Sequence, residues 1–272
     1  MNHVVISKDG TRIAYGRNGE GVPIILVDGA FCSRRFGPMG GLASLLADRA
    51  AVYIYDRRGR GDSGDSGDSG DTATYAIDRE IEDLAAIIEA AGGEAHVFGM
   101  SSGAILALHA AAAGLPIRKL ALYEPPYVQN EAGNPAAQED PAARIAELAQ
   151  SGRRADAVAY FMTKIMGMPE MAFQGVRQAP SFPGMEAVAH TLAYDVTITR
   201  DTSLADKLPH IRQATLVIGG ENSPPPLRQA VEFIASAISQ AESRLLSGQS
   251  HDVSLDALAP VLRDFFSIRM PR

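Results

Sequence analysis

The pentad Gly99-Met100-Ser101-Ser102-Gly103 has the pattern G-x-S-x-G, which can carry nucleophilic chemistry at a serine. Glycines two positions to either side let a strand turn sharply into a helix. The turn strains the backbone at Ser101 and raises its hydroxyl above the carboxyl edge of a sheet. The N–H of Ser102, at the helix start, is then free to stabilise an oxyanion. Glycine and serine are common, so the pentad gains meaning from context. Ala95 to Phe98 before it reads as a strand, and the Ala-rich stretch to Ala113 after it reads as a helix.

A serine hydroxyl is a poor nucleophile at neutral pH and needs a base. Of the six histidines, His3, His96, His109, His190 and His210 read as structural. His251 differs. It lies in Gly248-Gln249-Ser250-His251-Asp252, between the last predicted strand and the last predicted helix. In a parallel sheet that loop emerges at the same edge as Ser101, so His251 is the expected general base. Cys32, the only cysteine, reads as inert packing. It excludes an intrachain disulfide and a cysteine metal site. The expected chemistry calls for no metal and no cofactor.

The elements that must position these groups alternate. Strands are expected at Val4–Ser7, Arg12–Gly16, Pro23–Val27, Ala51–Tyr55, Ala95–Phe98, Lys119–Tyr123, Thr215–Ile218 and Ser243–Leu246. Helices fall between most of them. Ile77, Ile81, Leu84 and Ile88 form one apolar face, as do Leu227, Val231, Ile234 and Ile238, and then Leu255, Leu258, Leu262 and Phe265. Repeated strand–helix units predict an α/β fold: a mostly parallel sheet of eight strands with helices on both faces, entered by an antiparallel hairpin at Asp9-Gly10. From Tyr127 to about Ala205 no strand is expected. Helical pieces at roughly 141–150, 153–166, 168–178 and 184–195 predict a cap, residues 128–205, inserted in a core of 1–127 and 206–272. The triplet run Asp62 to Asp71 reads as a polar surface loop.

Length and composition narrow the class. The 272 residues suit one domain with an insertion. The net charge of −7 and the lack of a basic block argue against a nucleic-acid or membrane-surface partner. The N-terminal stretch lacks the pattern of a signal peptide, and the longest apolar runs are too short to span a bilayer. A cytoplasmic protein acting on a small molecule is expected.

The element order, the elbow and the late histidine resemble the α/β-hydrolase family over nearly the whole chain. Two further segments add to the resemblance. Asp56-Arg57-Arg58-Gly59-Arg60-Gly61-Asp62-Ser63 is similar to the family's D-x-R-G-x-G-x-S loop, which is structural. Val27-Asp28-Gly29-Ala30 stands in place of its H-G-x turn, with Asp28 where histidine is usual. The resemblance implies that the N–H of Ala30 joins that of Ser102 in the oxyanion hole. It also implies an acid for His251. The usual position, after the seventh strand, holds Ser223, with Glu221 two residues before it. Some relatives place the acid after the sixth strand, and there Glu124 stands. Glu124 is the favoured acid and Glu221 the alternative.

The expected cap contains five of the nine methionines, with Phe161, Phe173 and Phe182. Such residues pack small helices on one another or form an adaptable apolar roof over Ser101. The expected function is a serine hydrolase that cleaves a small, partly hydrophobic carboxylic ester, thioester or lactone through an acyl-enzyme on Ser101. The rivals are a carbon–carbon bond hydrolase or cofactor-free perhydrolase on the same triad, and a non-catalytic ligand binder of the same fold. A serine at the elbow argues against dehalogenase and epoxide hydrolase chemistry, for which relatives use aspartate.

Overall fold

The computed structural model describes residues 2–65, 75–127 and 139–268. The later Asp-Ser-Gly triplets and residues 128–138 of the expected cap lie outside them. Strands β1 (Asn2–Ile6) and β2 (Arg12–Asn18) form the antiparallel hairpin. The turn is set by Gly10, at φ 89°, and by the Asp9 carboxylate accepting the Thr11 N–H at 2.9 Å. Strand β2 pairs antiparallel with β4 (Ala50–Tyr55). Strands β3 (Val22–Val27), β5 (Ala95–Met100), β6 (Ile117–Tyr123), β7 (Ala214–Gly220) and β8 (Ala241–Leu246) complete the sheet in the order β1-β2-β4-β3-β5-β6-β7-β8. From β4 to β8 all neighbours are parallel. The carboxyl ends of β3, β5, β6, β7 and β8 therefore share one edge.

Burial explains the continuous apolar runs. Ile24 to Val27 are covered on both faces, as a central parallel strand requires. On one face, α2 (Ile77–Ala90), α3 (Ser102–Ala112) and α10 (Pro225–Ala237) pack Leu84, Leu108 and Val231 against the sheet. On the other, α1 (Met39–Leu46) and α11 (Leu255–Phe265) do so through Leu42, Leu46 and Leu262.

Between β6 and β7 the described elements are all helical, among them α4 (Pro141–Gln150), α5 (Arg154–Tyr160), α6 (Glu170–Arg177), α7 (Phe182–Ala187), α8 (Leu192–Thr199) and α9 (Leu204–Lys207). The expected single helix over 184–195 is interrupted. Ala189–Thr191 is a 3-10 turn, where the Thr191 hydroxyl donates to the Val188 carbonyl and accepts from Arg60. The second half of the expected helix over 153–166 is π-helical, Phe161–Ile165. The helix at 204–207 was not expected. This insertion has its own apolar cluster, including Ile145, Val158, Phe161, Phe173 and Phe182, and that cluster takes in Phe31 from the turn after β3.

Candidate active site

Ser101 sits between β5 and α3 at φ 54° and ψ −127°, the strained elbow that the flanking glycines permit. A Cβ on Gly99 would lie 2.6 Å from the Gly103 carbonyl oxygen, and one on Gly103 would lie 2.5 Å from that of Asp28. No larger residue fits at either position. The Ser101 N–H donates to the Tyr123 carbonyl of β6 at 2.9 Å, so the elbow is tied to the strand that carries Glu124.

Glu124 and His251 are brought together. His251 Nδ1 lies 2.7 Å from Glu124 Oε2. The other oxygen of Glu124 accepts the Gly220 N–H at 2.7 Å and the Ser223 hydroxyl. Glu124 is fully buried, while His251 is about a third exposed at 35%. Burial pushes the Glu124 carboxyl up, but the bonds from His251, Ser223 and Gly220 outweigh it and hold it below the usual carboxylate range. The charged carboxylate accepts a proton on Nδ1, which leaves Nε2 with its lone pair. Tyr123 secures the histidine loop by donating its hydroxyl to the Ser250 carbonyl at 2.5 Å. Among the described residues the imidazole's hydrogen bond is to Glu124, not to Ser101.

Glu221 is not part of this arrangement. Its carboxylate accepts from the Ser247 hydroxyl at 2.8 Å and the Gly248 N–H at 3.1 Å. It is exposed, and its partners lie in the turn after β8.

The turn after β3 runs beside the elbow. A Cβ on Gly29 would stand 3.1 Å from Ser101 Cβ. The buried Asp28 bends back, and its Oδ1 accepts the Gly29 N–H at 2.8 Å. Burial pushes the Asp28 carboxyl up to about 6. Ala30 packs against the insertion's apolar cluster. Phe31 meets Phe161 edge to face at 5.4 Å. Among the described non-glycine residues, positive φ occurs at Phe31, Ser101, Glu124 and Ser267, and the first three gather here. Strain of this kind concentrates at working sites.

The Asp56 loop is an anchor. Arg57 pairs in a fork with Glu80 at 2.7 Å for both bonds, and Arg58 does so with Asp83 at 2.8 and 2.7 Å. The Ser102 side chain points into this buried network and not toward a substrate: its hydroxyl donates to Asp195 at 2.6 Å. The pairing of Asp195 with Arg57 and Arg60 is not visible in the sequence, because Arg57 and Asp195, 138 residues apart along the chain, meet only on folding.

His96 and His109 have other surroundings. His96 stacks on Phe266, and burial lowers its pKa to about 4. His109 is eight residues along α3 from Ser101, about 12 Å by helix rise. It lines a cavity of about 660 Å³ with Asp78, Asp201 and Lys207. Among the described residues no helix is long and apolar enough to cross a membrane, and no cluster could hold a metal ion.

The geometry agrees with what the chain is similar to. No curated protein matches it. An alpha/beta hydrolase from Sphaerobacter thermophilus is 48% identical, with a TM-score of 0.87 over 97% of this chain and 100% of that one. The enol-lactonase from Burkholderia xenovorans is 20% identical, with a TM-score of 0.70 over 97% and 100% of the two chains. An esterase from Exiguobacterium antarcticum is likewise 20% identical, with a TM-score of 0.71 over 98% of each. These last two share the fold. A family model described as the alpha/beta hydrolase family matches residues 24–263. With a strained serine elbow, an eight-stranded sheet and a match over most of its length, the chain belongs to the alpha/beta hydrolase family.

Proposed function

We propose that this hydrolase cleaves a small, partly hydrophobic carboxylic ester, thioester or lactone, with Ser101 as nucleophile, His251 as general base and Glu124 as the orienting acid. The observation that carries the reading is the 2.7 Å bond from His251 Nδ1 to a buried, charged Glu124 at the sheet edge where Ser101 stands. His251 Nε2 takes the Ser101 proton as Oγ attacks the carbonyl carbon. The N–H groups of Ser102 and Ala30 receive the developing oxyanion. The tetrahedral intermediate collapses, the acyl–oxygen or acyl–sulfur bond breaks, and imidazolium protonates the leaving group. Water, deprotonated by the same nitrogen, then releases the acid and restores Ser101.

The apolar cluster at Ala30 and Phe31 supports a substrate with a hydrophobic portion. The esterase and enol-lactonase among the structural neighbours are consistent with ester and lactone bonds. The single cysteine and acidic net charge support a cytoplasmic location and a small-molecule partner. A fluorophosphonate probe tests the reading together with p-nitrophenyl esters of short acids. Labelling and turnover are expected, and both vanish in Ser101→Ala. No labelling of the wild-type protein would point instead to a binder that does not turn over.

A further inference from the structure

The carboxylate of Asp195, on α8 of the insertion, is 1% exposed. Its two oxygens serve different partners. Oδ1 accepts from the Ser102 hydroxyl at 2.6 Å and from Arg57 Nη1 at 2.8 Å. Oδ2 accepts from Arg60 Nη2 at 2.6 Å, and Arg60 Nη1 donates in turn to the Gly29 carbonyl at 2.6 Å. Burial pushes Asp195 up, but Arg60 and Arg57 outweigh it and hold it below the usual carboxylate range, so it stays charged.

The Gly29 carbonyl and the Ala30 N–H belong to one rigid trans peptide and point in opposite directions. A charge-assisted bond to the Gly29 oxygen therefore fixes where the Ala30 N–H points. On the other side, the Ser102 hydroxyl and the Ser102 N–H hang from one residue in the first turn of α3, so holding the hydroxyl restrains the amide. Each oxygen of Asp195 thus controls one of the two amides. Oxyanion donors work by being aimed before charge develops, and misplacement by about 1 Å can cost about 100-fold in rate.

We propose that Asp195 is a positioning residue that aligns the Ser102 and Ala30 amides from the helical insertion. This rests on the reading of Ser101 as nucleophile. A purely structural ion cluster would hold the insertion on the sheet and leave turnover per folded site unchanged.

The test is Asp195→Asn, in which the amide cannot accept from both Arg60 and the Ser102–Arg57 pair. Turnover of p-nitrophenyl acetate is normalised to active sites titrated to completion with fluorophosphonate. A trifluoromethyl ketone, which forms an oxyanion on Ser101, is compared with the matching alcohol, which cannot. The expected result is a fall in kcat of about 10- to 100-fold, with KM within about threefold. Ketone affinity falls in parallel and alcohol affinity holds. Normalised kcat and ketone affinity within about twofold of wild type would overturn the proposal. Should Asp195→Asn fail to fold, Ser102→Ala keeps the ion pairs and cuts one link. A loss of about three- to tenfold in kcat and ketone affinity is then expected, and no loss overturns it. An active Ser101→Ala would overturn both readings. An inactive Ser101→Ala beside a fully active Asp195→Asn would overturn only this one.

Discussion

Ser223 donates its hydroxyl to Glu124. The position after β7, where the family resemblance leads one to expect the acid, thus supports the proposed acid after β6. The two positions face one another across adjacent parallel strands, with Glu124 N–H bonded to the Ile218 carbonyl at 2.8 Å.

The acid assignment is tested by two conservative changes. Glu124→Gln removes the charge that holds the imidazole, and kcat on a p-nitrophenyl ester should fall by about 10³- to 10⁴-fold. Glu221→Gln alters an exposed turn, and kcat should stay within about twofold. Steady-state kinetics of the pair decide. The opposite order would reject Glu124.

The same geometry predicts a transplant. Ser223 already reaches the Glu124 carboxylate, so Glu124→Ala/Ser223→Asp puts a carboxylate on the neighbouring strand. The double variant should regain at least about tenfold in kcat over Glu124→Ala alone. Ser223→Asp by itself places two carboxylates together and should lower activity.

Asp28 makes stability depend on pH. Its folded pKa is raised to about 6 from 3.8. Between those values the folded protein keeps a proton that the unfolded chain has released, so stability held below pH 4 is lost as pH rises to 6. The shift corresponds to about 3 kcal/mol. Chemical denaturation of wild type and Asp28→Asn at pH 4 and pH 7 checks this. The wild type should lose more stability than the variant on going to pH 7, by an amount of that order. Parallel behaviour of the two would rule out the protonated carboxyl.

Phe161 joins the insertion to the turn after β3 through its ring contact with Phe31. Phe161→Ala should destabilise the protein by about 3–5 kcal/mol. It should also raise KM for acyl chains that need an apolar wall. Denaturant midpoints and KM across a series of acyl lengths measure the two effects separately.

Much of the fold can be read in the sequence because period and burial coincide. Ile77, Ile81, Leu84 and Ile88 repeat at helical spacing, and α2 buries Leu84 and Ile88. Pro23 to Val27 form a continuous apolar run, β-branched at Ile24, Ile25 and Val27, and the strand is covered on both faces from Ile24 to Val27. That Ser101 and His251 emerge at one sheet edge is legible for a related reason: a parallel sheet sends every strand's carboxyl end to one edge. The insertion was harder to read. At the break between α7 and α8, Thr191 accepts from Arg60, a partner 131 residues away. The roles of Arg57 and Arg60 were hidden in the same way. Their loop is recognisable, but their direction is set by Glu80 and Asp195, which only folding brings near.

The left-handed backbone at Ser101 has an evolutionary consequence. Glycine adopts that conformation freely, whereas serine there costs about 1–3 kcal/mol. Drift toward a sturdier fold would therefore favour Ser101→Gly, and with it the loss of the proposed nucleophile. On the proposed reading, a hydroxyl at this spot is kept by selection for reactivity, against the pull of the chain's own stability.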